Sequence, residues 1–514
     1  MGEATPLLSL RGITKRFGAL VANDDIDLDL QRGEMLALLG ENGAGKTTLM
    51  NILFGHYTAD EGSIEIDGAP LPPGSPKAAL GAGLGMVHQH FTLADNMSVV
   101  DNIMVGVEPL TRFRRNTAAA VAKIRALAER YEMDVSPYSL VKHLSVGQRQ
   151  RVEILKALYR HTRILILDEP TAVLTPQESD HLFATLRLLV DQGLAIIFIT
   201  HKLREVMAAS DRCLVLRHGK VVFACRTATT SSEQLARRMV GGELPEVRRI
   251  AATPGDPLLE LGGLSAENDH GYQLLDHLDL TVNAGEIVGI AGVSGNGQSQ
   301  LADLVSGMIA DFSGTFMLAG APIEKPSPRQ MVRRGVGRIP EDRTATGLIG
   351  DMTVLENLAL ESYWKRGFNR LGFLAAVPLR QRTAELLGRF DIRCAGADAP
   401  VRTMSGGNMQ KLILARVLAE RPILIVANQP TWGLDVGATA FVHQRLIEAS
   451  REGAGVLLIS EDLDELFAIA DTIQVMYQGT LSPPIDPART NAAEIGLAMS
   501  GQRDISQAMI SARD

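Results

Sequence analysis

A glycine-rich loop between a strand pattern and a helix pattern constrains the fold of this chain most. Residues 40–47 read Gly-Glu-Asn-Gly-Ala-Gly-Lys-Thr, which fits the pattern Gly, four residues, Gly-Lys-Ser/Thr. Residues 35–39 before it predict a short buried strand, and residues 48–53 after it predict the start of a helix. In that context the glycines let successive backbone N–H groups turn around phosphate oxygens, and the helix N-terminus adds partial positive charge. The loop therefore predicts an α/β domain with a phosphate site.

Two side chains of this loop carry the predicted chemistry. We expect Lys46 to neutralise the β- and γ-phosphates of a nucleotide and the Thr47 hydroxyl to ligate Mg²⁺. The alternative is an ordinary glycine turn, which the flanking strand and helix patterns disfavour. The predicted nucleotide-binding residues of the loop are Gly40, Glu41, Asn42, Gly43, Ala44, Gly45, Lys46, Thr47 and Thr48.

The chain contains an internal repeat. A second glycine loop, residues 292–299, follows the first by 252 residues and also comes after a strand-like run, residues 287–291. A chain of 514 residues is too long for one core, so two copies of one fold joined head to tail are expected. The predicted organisation is a first domain at residues 1–242, a polar linker at 243–256 that contains Pro245 and Pro254, and a second domain at 257–514.

Composition excludes several classes of protein. The net charge of −8 argues against non-specific nucleic-acid binding as the main role. The three cysteines form no CxxC pair, so neither a disulfide framework nor a zinc site is expected, and a reducing cytoplasm fits. The N-terminal residues predict no signal peptide, and no apolar run approaches the roughly 18 residues that span a bilayer. Other chains would have to supply any membrane spans.

Short apolar runs alternate with helical patterns in each half, which predicts parallel α/β units. Residues 164–167 and 194–199 read as buried central strands. Asn116 to Met133 reads as an amphipathic helix within a helical subdomain.

An acidic pair, Asp168-Glu169, follows the first of these strands directly. Acidic residues at the carboxyl end of a buried parallel strand suit a nucleotide site. We expect Asp168 to hold Mg²⁺ and Glu169 to orient and deprotonate the attacking water. Taken alone, the pair is more often a helix cap; the glycine loop reverses that preference.

A third motif, residues 144–148 (LSVGQ), precedes a helical pattern from Arg149 to Tyr159. Ser145 suits an N-cap, which is the simplest interpretation of the motif on its own. Together with the two preceding motifs it resembles the signature motif of ABC ATPases. The resemblance covers nearly the whole chain, twice. It implies two tandem P-loop ABC-type nucleotide-binding domains, each with a RecA-like core and a helical subdomain, which bind ATP and Mg²⁺.

The resemblance also implies roles for three further residues. Gln89, directly after residues 85–88, matches the Q-loop glutamine that contacts Mg²⁺ and water. His201 matches the switch histidine that contacts the γ-phosphate, whereas a lone histidine after a strand is more often structural. Phe17 matches the aromatic residue that stacks on adenine, whereas an aromatic at a strand end is more often part of the core.

In this family two such domains pair head to tail, with ATP between the phosphate loop of one domain and the signature motif of the other. The resemblance therefore implies that the two halves pair within one chain. Site one would join residues 40–47, Gln89, Asp168, Glu169 and His201 to Ser405, Gly406, Gly407 and the D-loop residue Asp435. Site two would join Gly292, Gly295, Gly297, Gln298 and Ser299 to Ser145, Val146 and Gly147.

Site two departs from the family pattern at most of its reactive positions. Gln298 stands in place of Lys46, Glu341 in place of Gln89, Asn428 in place of Asp168, Gln429 in place of Glu169 and Glu461 in place of His201. On its signature side Val146 replaces a glycine and Thr175 replaces the D-loop aspartate. Gln429 cannot accept a proton as a carboxylate can. Scattered neutral changes are the alternative, but the joint loss of lysine, acid and base predicts a site that does not hydrolyse ATP.

Three stretches resemble the tandem ATP-binding subunits of sugar-type ABC importers, and most closely the nucleoside-transporting branch: residues 85–91, 144–160 and 430–438. The branch that transports ribose, galactose and xylose is the alternative. A soluble tandem ABC ATPase acting on ribosomes or DNA is a different class, and a nucleotide-binding regulator without turnover is a third.

The importer resemblance implies partners and a location. It implies two integral-membrane permease subunits, an extracytoplasmic substrate-binding protein that acts indirectly, no nucleic acid, and a peripheral position on the cytoplasmic face of the cell membrane. Segments 90–106 and 342–358, which follow Gln89 and Glu341, are the expected docking segments for the membrane subunits.

Overall fold

The computed structural model describes residues 5–88, 91–107, 116–171, 174, 176–242, 254–268, 270–365, 367–370 and 373–501. Contacts between residues divide the chain into two units, Met1–Leu244 and Pro245–Asp514. Each unit has its own hydrophobic core and its own β-sheets. Most of the predicted linker, residues 243–253, lies outside the described residues, and its boundaries remain a prediction.

The first unit alternates strands and helices along the chain. Its strands are β1 (Leu8–Phe17), β2 (Leu20–Leu30), β3 (Met35–Leu39), β4 (Glu61–Ile66), β5 (Ala69–Pro70), β6 (Leu84–Val87), β7 (Ile164–Asp168), β8 (Ala195–Ile199), β9 (Arg212–Arg217) and β10 (Lys220–Arg226). Its helices are α1 (Lys46–Phe54), α2 (Pro76–Gly81), α3 (Val99–Met104), α4 (Thr117–Arg130), α5 (Val146–Tyr159), α6 (Pro176–Asp191), α7 (Leu203–Ala209) and α8 (Ser232–Val240).

The six-stranded sheet of this unit brings the predicted site residues to one edge. Its order is β10-β9-β3-β8-β7-β6, and β3, β8 and β7 are parallel neighbours. These three strands are continuous apolar runs because both faces of a central parallel sheet are covered. Leu38 and Asp168 both pair with Ile199 of β8. The glycine loop after β3, the acidic pair after β7 and His201 after β8 therefore emerge at the same edge.

A second sheet and a helical subdomain complete the first unit. The antiparallel sheet has the order β2-β1-β4-β5. Helices α3, α4 and α5 pack against one another as the predicted helical subdomain. The helix expected from Asn116 to Met133 is observed at Thr117–Arg130, with the Asn116 side chain accepting a hydrogen bond from the backbone N–H of Ala119.

The second unit repeats this plan. Its strands are β11 (Pro257–Glu267), β12 (Gln273–Asn283), β13 (Ile287–Ala291), β14 (Ser313–Leu318), β15 (Ala321–Pro322), β16 (Val336–Ile339), β17 (Asn369–Arg370), β18 (Phe373–Leu374), β19 (Leu424–Asn428), β20 (Gly455–Ser460), β21 (Thr472–Tyr477) and β22 (Thr480–Leu481). Its helices are α9 (Gln298–Val305), α10 (Pro328–Arg333), α11 (Val354–Ala359), α12 (Ala376–Arg389), α13 (Gly406–Leu418), α14 (Val436–Arg451), α15 (Leu463–Ile469) and α16 (Ala492–Met499).

The order of strands is the same in the two units. Counted from the equivalent edge, the large sheet of the second unit runs β22-β21-β13-β20-β19-β16. Its antiparallel sheet runs β12-β11-β14-β15. Helices α11, α12 and α13 pack together and correspond to α3, α4 and α5. The predicted fold class, two tandem α/β nucleotide-binding domains each with a helical subdomain, is confirmed.

A Met-Ser/Thr-Val run occurs twice in the sequence, at residues 97–99 and 352–354, where α3 and α11 begin. Ser98 caps α3 by accepting from the backbone N–H of Asp101, and Thr353 caps α11 within a capping box with Glu356. The next residue in each run, Val99 or Val354, is fully buried. Capping and core packing therefore account for the repeated Met-Ser/Thr-Val pattern, and docking of a membrane subunit to these segments remains a prediction.

Candidate functional site

The glycine loop of the first unit adopts a backbone that side chains would block. Gly40, Gly43 and Gly45 have φ angles of 153°, 82° and 101°. A Cβ atom at Gly45 would lie 2.2 Å from the carbonyl oxygen of Ala22, and one at Gly40 would lie 2.4 Å from that of Leu216. Only glycine fits at these two positions, so the loop can wrap closely around a ligand.

Lys46 and the start of α1 face this loop. The Lys46 side chain is 7% exposed, and its Nζ donates hydrogen bonds to the carbonyl oxygens of Gly40 at 2.6 Å and Glu41 at 3.0 Å. No side chain caps α1, whose N-cap is Gly45. The N-terminal amides of the helix, together with a nearby ammonium group, suit an anion such as a phosphate.

The acidic pair and His201 form a connected group at the carboxyl end of β7. His201 Nδ1 lies 3.1 Å from Glu169 Oε1, and with Glu169 ionised the histidine N–H is the donor. Glu169 has a positive φ of 46°, and its backbone N–H donates to the carbonyl oxygen of Ile199 at 3.0 Å. This left-handed bend turns the chain sharply after Asp168 and directs the carboxylate of Glu169 to His201.

The two carboxylates have opposite pKa shifts. Burial, together with the neighbouring charge of Glu169, raises the pKa of Asp168 to about 6, against a smaller lowering by Lys46. Burial also acts to raise the pKa of Glu169, but the hydrogen bond with His201 and the charges of His201, Lys46 and Lys202 outweigh it and lower that pKa. Glu169, which is bonded to His201, is therefore ionised. The charged form of Asp168 is disfavoured unless a further cation lies nearby.

The oxygen donors at this edge fit Mg²⁺ bound in the manner of a nucleotide complex. Mg²⁺ is held by one or two protein oxygens together with phosphate oxygens and waters, rather than by a complete protein cage. Thr47 and the half-buried Asp168 would supply those protein oxygens, and in the described residues no group of three or more His, Cys, Asp or Glu side chains could hold a metal ion. The expected third contact, Gln89, lies outside the described residues.

Phe17 lies at the end of β1 and is 45% exposed. It is therefore not part of the core, which was the alternative for an aromatic residue at a strand end. The ring of Tyr57 meets it edge to face, with centroids 5.6 Å apart, and Lys15 Nζ lies 5.4 Å from its centroid. An exposed aromatic face suits stacking on a nucleotide base. Tyr57 was missed from the sequence because it follows α1 in a loop with no motif.

A buried carboxylate behind the site also escaped the sequence analysis. Glu205 accepts hydrogen bonds from the hydroxyls of Thr171 and Thr200, the latter at 2.9 Å. Lys202 Nζ donates to the carbonyl oxygen of Thr171 at 3.1 Å. These bonds tie the chain after Glu169 to the chain before His201. A glutamate three residues after a lysine in a short helix carries no recognisable signal for this contact.

In the matching loop of the second unit, residues 292–299, the side chain of Gln298 bonds to the loop backbone. Gly295 and Gly297 keep positive φ angles of 90° and 115°. Gln298 Nε2 donates to the carbonyl oxygen of Val293 at 2.9 Å, and in the part of the chain that the structure describes its buried Oε1 has no hydrogen-bond partner. A Cβ atom at Gly292 would lie 2.0 Å from Gln298 Nε2. A neutral amide thus replaces the ammonium group of Lys46.

The remaining residues of the second unit keep the backbone but change the chemistry. Gln429 has a φ of 48° and donates from its N–H to the carbonyl oxygen of Ile459 at 2.8 Å, as Glu169 does to Ile199. Its side-chain Oε1 accepts from the backbone N–H of Glu461 at 3.3 Å. Asn428 is buried, and Ser299 Oγ donates to Glu341 Oε2 at 3.4 Å. A neutral amide pair, Asn428-Gln429, stands where the first unit has the carboxylates of Asp168 and Glu169.

The two signature motifs both precede a helix of their helical subdomain. Ser145 caps α5 in a capping box with Gln148, so the capping interpretation holds there and the adjacent Gly147 is buried. Ser405 is the N-cap of α13 but makes no side-chain cap bond, and its Oγ accepts from Asn408 Nδ2 at 2.9 Å. Asp435 caps α14, accepting from the N–H of Ala438 at 2.8 Å. Thr175 lies outside the described residues.

Comparisons with known proteins agree with this geometry. A family model described as ABC transporter matches residues 23–172 and 275–432. Each match includes a glycine loop, a signature helix and the strand end that carries Asp168-Glu169 or Asn428-Gln429. Among the described residues, no helix is both long and apolar enough to cross a membrane.

Several curated proteins are similar over almost their whole length. The glucose import ATP-binding protein TsgD13 of Haloferax volcanii is 44% identical over 97% of this chain and 96% of its own. The nucleoside import ATP-binding protein NupA of Lactococcus lactis is 43% identical over 96% and 98%, respectively. The guanosine import ATP-binding protein NupO of Bacillus subtilis is 42% identical over 96% and 97%. The chain therefore belongs to the ABC transporter family, as an ATP-binding protein with two nucleotide-binding domains in tandem.

Proposed function

We propose that this chain is the ATP-hydrolysing subunit of an importer that takes up nucleosides through separate membrane subunits. One observation carries the proposal. Lys46, Asp168, Glu169 and His201 meet at one sheet edge of the first unit, with His201 Nδ1 3.1 Å from Glu169 Oε1. These are the groups that phosphoryl transfer from ATP to water requires.

Each group has a distinct role at this site. The loop amides and Lys46 hold the β- and γ-phosphates, and Phe17 stacks on the adenine. Thr47, Asp168 and Gln89 would hold Mg²⁺, which neutralises charge on the phosphates when bound. Glu169 accepts a proton from the attacking water as the new P–O bond forms and the bond to the β–γ bridging oxygen breaks. His201 orients Glu169 and senses the γ-phosphate.

The second unit binds nucleotide without hydrolysing it. Gly292, Gly295, Gly297 and Ser299 remain for backbone contacts with phosphate, but Gln298 supplies no cation and Gln429 no base. We infer that one ATP is hydrolysed in each cycle. The asymmetry between the hydrogen bonds of Glu169 and Gln429 supports this assignment.

We further propose that the two units pair within one chain. The intact phosphate loop belongs to the first unit, while the signature motif with two glycines, Gly406 and Gly407, belongs to the second. Pairing between the units would therefore join residues 40–47 to Ser405, Gly406, Gly407 and Asp435. Pairing of like units from two chains would instead face the intact loop with the Val146 signature.

The partners follow from the transport role. Two integral-membrane permease subunits would dock on the cytoplasmic face, and an extracytoplasmic binding protein would deliver cargo to them. Nucleosides are favoured as cargo by the resemblance of residues 85–91, 144–160 and 430–438 and by the names of two relatives. A simple sugar is the second candidate, because a relative of similar identity is named as a glucose importer.

Turnover by the assembled transporter tests the assignment of the base. Glu169→Gln should reduce phosphate release by about 10²- to 10⁴-fold, because the water is no longer activated, while ATP-driven closure persists. Gln429→Ala, the matched change in the second unit, should leave release within a few-fold of the parent. Substantial release from Glu169→Gln that disappears only when Gln429 is also changed would refute the assignment.

Uptake into proteoliposomes tests the cargo. The chain is reconstituted with the permease subunits that co-purify with it and with a substrate-binding protein, and labelled nucleosides and pentoses are compared. ATP-dependent uptake of nucleosides alone supports the proposal. Uptake of sugars alone would transfer the assignment to the sugar-transporting branch.

A further inference from the structure

A short turn in the second unit follows Glu341, the residue that stands in place of Gln89. Residues 343–347 form a single π-helical turn. Asp342 Oδ1 accepts hydrogen bonds from the backbone N–H groups of Thr344 and Ala345, each at 2.8 Å. The N–H of Gly347 donates to the carbonyl oxygen of Asp342 at 2.9 Å. These bonds fix the turn and hold the base of the Arg343 side chain in place.

The guanidinium of Arg343 bridges two distant pieces of the chain. Its Nη1 lies 3.4 Å from the carbonyl oxygen of Gly406, the first residue of α13 in the signature motif. Its Nη2 donates to the carbonyl oxygen of Trp432, three residues before Asp435. One half-buried side chain thus connects the signature motif to the D-loop.

Two glycines make room for this bridge. A Cβ atom at Gly406 would lie 3.3 Å from Arg343 Nη1, and one at Gly433 would lie 3.4 Å from Nη2. Gly433 also has a positive φ of 64°. A Cβ atom would crowd the guanidinium only slightly at Gly406 and would reach ordinary contact at Gly433, so side chains longer than alanine would displace it.

A second arginine links the same turn to the same helix. Arg416, on α13, donates from Nη2 to the carbonyl oxygen of Gly347 at 2.8 Å, and its Nε lies 3.1 Å from Glu361 Oε1. The turn is thus tied to α13 near the N-terminus of the helix by Arg343 and farther along it by Arg416. These contacts hold the turn and the signature motif to one another.

The first unit has different chemistry at these places. Phe91 occupies the position 252 residues before Arg343 and has no donor group, and Lys156 occupies the position 260 residues before Arg416. Lys156 Nζ lies 3.1 Å from Thr92 Oγ1, and the Thr92 N–H donates to Glu153 Oε1 at 2.6 Å. The arginine bridge therefore occurs beside the signature motif of the second unit, which contains Ser405. Beside the signature motif of the first unit, which contains Val146, the contact of Lys156 with Thr92 takes its place.

We propose that Arg343 is a positioning residue that holds Ser405, Gly406 and Gly407 in register with the D-loop, so that this signature motif can close on ATP. The inference rests on the proposed pairing of this motif with the phosphate loop of the first unit. Arg343 acts through backbone carbonyls and need not touch the nucleotide. Its loss weakens closure on ATP without weakening the initial binding of ATP to residues 40–47.

The test uses the full chain reconstituted with its membrane subunits. Three variants are compared: Arg343→Gln, Arg343→Lys, and Arg380→Gln, which breaks an exposed ion pair with Asp398 in the same helical subdomain and serves as the control. Phosphate release is measured against ATP concentration. ATP binding to each isolated chain and thermal unfolding are measured alongside.

We expect Arg343→Gln to raise the KM for ATP by about 10-fold, because both charged hydrogen bonds to the backbone are lost. The Kd for ATP of the isolated chain and its Tm should match those of Arg380→Gln. Arg343→Lys, which can bond one carbonyl at a time, should recover part of the KM. A KM for Arg343→Gln within two-fold of the control, or a loss of Tm and Kd that accounts for the loss of activity, would overturn the inference.

A fourth variant separates this inference from the proposed pairing. Gly407→Asp places a charge in the signature motif itself and should abolish turnover if the motif closes on ATP. Full activity of Gly407→Asp would refute the pairing and the role of Arg343 with it. Loss of activity in Gly407→Asp with a normal KM in Arg343→Gln would refute the role of Arg343 alone.

Discussion

His201 Nδ1 lies 3.1 Å from the Oε1 atom of Glu169, across the ends of two neighbouring parallel strands. The hydrogen bond holds the carboxylate ionised despite its burial and fixes its direction. Gln429 in the second unit makes its corresponding contact with a backbone N–H of Glu461 instead. The difference between the units therefore lies in side-chain chemistry at one sheet edge.

The His201–Glu169 contact predicts a defect in kcat. His201→Ala should lower phosphate release by at least about 10-fold, because Glu169 loses the group that orients it and offsets its burial. The Kd for ATP should change little, since Lys46 and the loop amides remain. Glu461→Ala is the matched control in the second unit and should behave like the parent. Equal losses in the two variants would contradict the assignment.

Exchange of the loop residues tests the asymmetry of the units from the phosphate side. Lys46→Gln should abolish turnover and weaken ATP binding, because it gives the first loop the neutral amide found at Gln298. Gln298→Lys should not create a second hydrolytic site, since Asn428 and Gln429 still lack the acid and the base. Phosphate release by the double variant is the deciding measurement. Recovered turnover there would show that the second unit is competent.

Pairing of the two units within one chain predicts a specific crosslink. Cysteines at Asn42 and Ser405 should form a crosslink within a single chain in the presence of ATP, because pairing brings residues 40–47 to the signature motif. Asn42 is preferred to Gly43, whose φ of 82° would strain a cysteine. Mass and gel mobility distinguish crosslinks within a chain from those between chains. Crosslinks only between chains would contradict the pairing.

Docking of the membrane subunits is best tested away from the helix caps. Charge reversal at Asp101 or Glu356 would disturb the caps of α3 and α11 as well as any interface. Val105 and Ile349, in segments 90–106 and 342–358, are 52% and 45% exposed, and neither side chain makes a helix-capping bond. Val105→Asp and Ile349→Asp should reduce cargo uptake more than the ATPase rate of the isolated chain. Proportional losses in both assays would point to unfolding instead.

The sequence predicts the parts of this molecule that local patterns specify. Residues 40–47, the strand ending in Asp168 and the helix at Thr117–Arg130 follow from spacing, periodicity and glycine content, whereas the second helical subdomain follows from the resemblance to ABC ATPases. The contacts of Arg343 with Gly406 and Trp432 join residues far apart in the chain, so no local pattern reports them. The same holds for the contact of Glu205 with Thr171. The Met-Ser/Thr-Val runs fit two interpretations, a helix cap followed by a core residue and a docking segment for a membrane subunit. The sequence does not distinguish them, because a capping residue before a buried valine has the same spacing as an interface motif.

The left-handed backbone at Glu169, with φ of 46°, recurs at Gln429 with φ of 48°. Such a conformation costs a non-glycine residue on the order of 1–3 kcal/mol, and only in the first of these two copies does it direct a carboxylate. The backbone bends in the same way after β7 and β19, although the side chains at the bend differ in charge. The second unit therefore carries the strain of this bend to hold a neutral amide.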